Sequence, residues 1–176
     1  MELLRSQLNA ITDDDDALIE SWAVTARMMV EADSRLSLVR KTVKHRLPEF
    51  PGNGYIELPR GPVVSVESIQ YFDADDNEQT LDESKYRVDL ERFPAVIWDI
   101  AGNTWPWTSE RHDAVTVSYT TGHDPEDNPA PEVAKGAIML LVAHWYKNRE
   151  AVGTVGTEIA LGYERLINLL LEETYP

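Results

Sequence analysis

The chain has no cysteine among its 176 residues, which removes disulfides, thiolate metal sites and a cysteine nucleophile together and suits a reducing compartment. Long apolar runs are absent as well. The longest, Ala137 to Ala143, falls far short of the roughly 20 residues that a bilayer span needs. The start, MELLRSQLNAITDDDD, has no basic region leading into an apolar stretch. A soluble, cytoplasmic chain with no membrane contact is the expectation. Cations are scarce, with 16 Lys and Arg against 31 Asp and Glu for a net charge of -15. Free DNA is then a poor ligand, because gripping phosphates takes a surplus of positive charge.

Catalytic signatures are missing too. His45, His112, His123 and His144 stand at no metal-ligand spacing. No serine lies in a Gly-x-Ser-x-Gly setting, and Gly153 and Gly156 are too sparse for a phosphate loop. Asp13 to Asp16 lack the glycine of a calcium loop, and a helix cap with an acidic first turn accounts for them. In so acidic a chain, paired carboxylates say little about acid-base catalysis. These readings predict no catalytic, cofactor or metal residue. The rival is a metal-assisted hydrolase assembled from His144 or His123 with nearby acids.

What is present is led by Pro131 to Glu150, PEVAKGAIMLLVAHWYKNRE. Proline at the first turn, Glu132 at the positive end of the helix dipole, and Lys147 and Arg149 at the negative end predict one helix. Its centre is apolar on every side, so it must be covered all round, by its own domain or by a neighbouring subunit.

Before it, Leu3, Leu4, Leu8 and Ile11 predict a short helix ending near Thr12, and a second helix runs from Asp14 to about Asp33. Leu18, Trp22, Thr25, Met29 and Ala32 form one stripe on it, with Ile19, Ala23, Ala26 and Val30 beside them, a wide face whose methionines and tryptophan point to core or subunit packing rather than a cofactor box. Period-two alternation predicts a half-solvated strand over Leu38 to Leu47, with Val39, Val43 and Leu47 on one face and Arg40, Thr42, Lys44 and Arg46 on the other. Further strands are predicted at Tyr55 to Leu58, Val63 to Phe72, Glu78 to Leu81, Tyr86 to Asp89, Ala95 to Ile100 and Ala114 to Thr120. In Val63 to Phe72 the apolar set changes face near Glu67, which implies a bulge or a break. Leu161 to Glu173 closes the chain as a helix with Leu161, Ile167, Leu170 and Leu171 available for burial.

The order is helices, sheet, helices, without alternating strand-helix units or repeats. It predicts a single α+β domain, 1–176, in which a small helical bundle at 3–33 and 131–173 carries an inserted antiparallel β-sheet or hairpin subdomain at about 38–120.

Contact surfaces are the remaining candidates. Arg40, Lys41, Lys44 and Arg46 form a basic strand that either meets acids of a neighbouring copy or is simply solvated. Trp105 and Trp107 flank Pro106 in a loop and either plug a core or mark a contact surface. On the second alternative, the chain is a monomeric module that captures a peptide partner with them. His144 and Trp145 sit inside the central helix, and Val152 and Val155 in Ala151 to Glu158, which is either a mobile loop or a segment ordered only by a partner.

Three stretches together, DDDDALIESWAVTAR at 13–27, YIELPRGPVVSVESIQYFDADDNEQTLDESKYRVDL at 55–90 and APEVAKGAIMLLVAHWYKNREAV at 130–152, resemble the head-tail connector, or adaptor, proteins of long-tailed bacteriophages and prophages. Trp105-Pro106 lies between the second and third stretches. The chain departs from the resemblance in its first helix and over Ser34 to Pro51, where its strand is more basic. The resemblance implies a helical bundle with an inserted β element and no enzymatic activity. It implies a ring, typically of twelve copies, docked beneath the portal protein and offering a platform to the next connector or tail-completion protein. DNA would pass through without specific binding. Such a protein assembles in the host cytoplasm and ends at the virion head-tail junction. His144 and Trp145 would then lie near the seam between subunits.

Overall fold

A computed structural model of the chain describes residues 16–100, 105–148 and 157–174. The fold is α+β, in two compact units: Met1–Ser34 with Pro129–Pro176, and Arg35–Asn128. The expected helix at Leu3 to Thr12 lies outside the described residues.

The first unit holds helices α1 (Asp16–Ser34), α2 (Glu132–Lys147) and α3 (Thr157–Thr174). Helix α2 packs on both others, and they touch each other. Leu141 and Val142 of α2 bury against Ile19 and Ala26 of α1, with Trp22, Ile138, Trp145 and Tyr163 packed around them. At the far end of α1, the Tyr163 hydroxyl of α3 donates to Asp33 Oδ2 at 2.8 Å. Burial, reinforced by that carboxylate, pushes the Tyr163 pKa well above its ordinary value, so the phenol keeps its proton.

Burial corrects the expected stripe on α1. The buried line is Ile19, Ala26 and Val30, whereas Leu18 and Met29 are exposed and Thr25 and Ala32 with them. Small Ala26 lets α2 approach on that line, and only one side of a helix can meet one neighbour. On α3, Ile167 and Leu170 are buried as expected, but Leu161 is 62% exposed.

The second unit has seven strands: β1 (Lys41–Leu47), β2 (Tyr55–Leu58), β3 (Val63–Phe72), β4 (Glu78–Thr80), β5 (Tyr86–Asp89), β6 (Ala95–Asp99) and β7 (Val115–Thr121). They pair antiparallel in two sheets, ordered β1-β7-β3-β4 and β2-β6-β5. Between β3 and β7 the register shifts at Val63/Ser65 and again at Val66/Ser68. The second shift is the irregularity expected near Glu67, whose carboxylate accepts the Thr120 hydroxyl across the strands.

The β3-β4 turn is held by Asp73, whose Oδ1 accepts the Asp75 and Asn77 backbone N–H groups, both at 3.0 Å. These bonds, Asn77's first, hold the Asp73 carboxyl below its ordinary pKa. Ile56, Leu58 and Ile97 of one sheet share a core with Ile69, Val115, Val117 and Tyr119 of the other. Burying each aliphatic side chain contributes about 1.5–3 kcal/mol.

Strand β7 ends at Gly122, which has φ 115 and donates its N–H to the Pro62 carbonyl at 2.9 Å. A Cβ there would lie 2.3 Å from the Val39 carbonyl oxygen. That neighbour is backbone and cannot swing aside. Gly122→Ala therefore combines a disfavoured φ with a main-chain clash and should lower unfolding stability by about 1–3 kcal/mol, read as a reduced denaturation midpoint with the same denaturant slope. An unchanged midpoint would contradict the close approach.

Candidate interaction surfaces

The basic strand divides between two faces. In β1, Lys41, Val43, His45 and Leu47 are half-buried while Thr42, Lys44 and Arg46 are exposed. Lys41 thus stands on the opposite face from Lys44 and Arg46, because β1 pairs with β7 from Lys41 onward and its side chains alternate. Arg40 precedes the strand and meets Asp124 of its own chain at 3.5 Å. Backbone N–H groups of Glu126 and Asp127, then Arg40, hold the Asp124 carboxyl below its ordinary pKa. Of the four cations expected to face a neighbour together, Lys44 and Arg46 share the solvent face. Lysine and arginine on an edge strand also discourage pairing with stray strands.

The two tryptophans part company across Pro106. Trp105 is half-buried and stacks on Phe50 with ring centroids 4.9 Å apart and planes 6° apart, while Phe50 meets Tyr71 edge-on at 5.6 Å. Trp105 plugs the β core. Trp107 is 89% exposed and stands over a groove of about 400 Å³ lined by Glu49, Phe50, Pro51, Trp105 and Glu110. The loop is braced from its far end: Arg111 lies 3.7 Å over the Phe72 ring and reaches Asp76 at 3.2 Å, and the Ser109 hydroxyl donates to Asp76 at 3.1 Å. An indole held out by a braced loop offers apolar area at little entropic cost.

His144 is half-buried near the end of α2, where Asn148 Nδ2 lies 3.0 Å from its Nδ1 and donates to its carbonyl at 2.8 Å. This is a helix-end arrangement. Trp145 packs among Ile19, Ala26 and Leu141 inside its own unit. Val152 and Val155 lie outside the described residues. Among the described residues no three His, Asp, Glu or Cys side chains converge as a metal site, and no helix is long and apolar enough to cross a membrane.

One surface escaped the sequence reading. Trp98 is exposed on the outer side of β6 against Tyr55, centroids 4.8 Å apart, above a groove of about 810 Å³ shared with Leu90 and Ile100. The run AVIWDI hides this by being apolar without alternation. The outward side of α1, part of the stripe read as core or subunit packing, is a further apolar surface, its Leu18, Val24, Met28 and Met29 all exposed.

The whole arrangement has solved counterparts. A chain in the neck of an empty GTA particle, computed with C6 symmetry, matches with a TM-score of 0.71 at 21% identity, over 94% of this chain and 87% of that one. This chain has the fold of a particle-neck protein. A chain of the native gene transfer agent virion matches at 0.70 and 20% identity, over 89% and 80%. One in the native neck, computed with C12 symmetry, matches at 0.70 and 20%, over 97% and 87%. No protein-family profile matches the chain, and no curated protein does. The likeness spans both units of the neck-type fold and so includes the helices as well as the sheets.

The tryptophans separate in a stability measurement. Trp105→Ala should cost about 3 kcal/mol, the ordinary cost of emptying an aromatic core position, whereas Trp107→Ala should leave the melting midpoint where it was. Equal losses would reject the division between plug and displayed ring.

Histidine gives a pH signature. Burial lowers the pKa of His45 and of His123 from 6.5, an Asn128 contact opposing it in part at His123. The unfolded chain therefore takes protons first as pH falls through 6.5, so their stabilisation is complete above that value and lost below it. Lower pH also relieves the repulsion of a net charge of -15, so the informative quantity is a difference. Between pH 7.5 and 5, wild type should lose more stability than His45→Gln/His123→Gln, and equal losses would refute the assignment.

Proposed function

We propose that this chain is a structural head-tail connector, or adaptor, that forms a ring between the portal and the tail of a phage-like particle. The supporting observation is the neck-type fold, matched over nearly the whole chain by components of symmetric particle necks. In this reading the chain carries no enzymatic activity and its chemistry is packing. Twelve copies surround a channel. The portal binds one side of the ring and the next connector or tail-completion protein the other. Assembly takes place in the host cytoplasm and the product stays at the virion head-tail junction.

The net charge of -15 suits a channel through which DNA slides, since cationic walls would hold phosphate. The exposed Trp107 also favours a narrower reading, a protein-binding module. Within a ring the two are compatible, the indole serving as an anchor for the portal or the next component.

Negative-stain imaging and native mass spectrometry of the purified chain, alone and with its portal, test the proposal. Closed rings with twelvefold symmetry are expected, with no retention of the protein on duplex DNA at physiological salt. A chain that stays monomeric both alone and with portal, or that binds DNA tightly, would sink it.

A further inference from the structure

We infer that the outward side of α1 is a contact between copies of this chain, received by the outward side of α3 on the next copy. The inference deepens the ring reading and rests on it. At roughly 100° per residue, Leu18, Val24, Met28 and Met29, with Ser21 and Thr25 between them, share a sector of roughly 140° on α1. Each of them is exposed, Met28 to 60%. The charged residues of the helix, Asp16, Glu20, Arg27, Glu31 and Asp33, all fall outside the sector. Isolated exposed apolar side chains are ordinary. A contiguous charge-free stripe along about three helical turns is the mark of a contact surface.

Charge selects the occupant. Copies carrying a net charge of -15 repel one another, so they can meet closely only where acids are absent, and this stripe is such a place. The complementary surface is on the same unit. Helix α3 turns Leu161 and Leu169 to solvent on the side away from its buried Ile167 and Leu170, with exposed Arg165 between them. That pattern offers two leucines to the methionine stripe and a cation to Glu20 at its rim. Both helices pack on α2 and present these faces outward. A pairing of two different faces is heterologous, and a heterologous contact closes into a ring when its rotation permits. Stable interfaces bury about 800 Å² on each partner, and the α1 stripe, about 17 Å from Leu18 to Met29 at 1.5 Å per residue, supplies the apolar centre of one.

The test uses two double variants of the full chain, Val24→Glu/Met28→Glu and Leu161→Glu/Leu169→Glu, in analytical ultracentrifugation with circular dichroism as the folding control. Wild type should sediment as rings and each variant as a folded monomer. An equimolar mixture should stop at dimers, because one intact α1 face then meets one intact α3 face and neither copy can extend. Rings that persist in the variants overturn the seam and leave the connector reading intact, whereas wild type that never forms rings removes that reading and this inference together. Monomeric variants whose mixture makes no dimer overturn the α1-to-α3 pairing.

Should the charged variants misfold, the absence of native cysteine allows a second measurement. Met28→Cys/Leu161→Cys treated with a short bismaleimide should give a ladder extending beyond dimers on a denaturing gel. A single-chain band alone, as when the N-terminal segment of the same copy covers α1, would refute the contact.

Discussion

Strand β7 is hydrogen-bonded along both edges, to β1 and to β3, while its Val115, Val117 and Tyr119 fill the core shared by the two sheets. That double pairing sets much of the surface of the β unit. A slip of one residue would exchange every inward side chain for an outward one, which no arrangement of the core could absorb. The register therefore decides that His45 turns inward and Lys44 outward, and that β7 ends where only glycine passes under the Val39 carbonyl. Phe72 of β3, paired beside β7 at its start, in turn supplies the ring and the carbonyl on which Arg111 and Ser109 anchor the tryptophan loop.

The helical unit works under a different constraint. Its three described helices bury a small set of side chains, Ile19, Ala26, Leu141 and Val142 at the centre, and leave apolar surface on the outer sides of α1 and α3. A monomer would keep that surface in water at a cost proportional to its area. An assembly of copies removes the cost without new chemistry, and an acidic remainder keeps the assembled surface soluble and repellent to DNA. The two units thus differ: a register-locked β unit carrying Trp107, and a helical cluster with apolar side chains left on its outer faces.

Much of the fold was legible because the signals were local. Tyr55–Leu58, Val63–Phe72 and Tyr86–Asp89 are strands at the predicted bounds, since alternation and turn residues act within a few positions. The change of apolar face near Glu67 announced a bulge, because a strand cannot turn its side chains over without an extra residue. The α1 stripe was legible only in part. Helical periodicity shows that a wide apolar arc exists and is silent on which part of it meets a neighbour. Here the Ile19, Ala26 and Val30 line is buried, Ile19 and Ala26 against α2, and the Leu18 and Met29 line lies outside. Trp98 was missed for another reason: the unbroken apolar run Ala95 to Trp98 shows no alternation to mark an outward face, although it carries an exposed indole.

By itself the sequence determined the helix-sheet-helix order, the strand positions, the lack of a thiol and a net charge of -15. These follow from spacing, residue type and sums, none of which depends on distant partners. The tertiary structure alone decided that Trp105 is a core plug and Trp107 a displayed ring, and which half of α1 is left to solvent. Each of those depends on what a side chain meets across space, where Phe50 lies fifty-odd residues from Trp105 in the chain and Leu141 more than a hundred from Ile19. Period and propensity carry no information about such meetings, because burial belongs to pairs of surfaces and not to single segments.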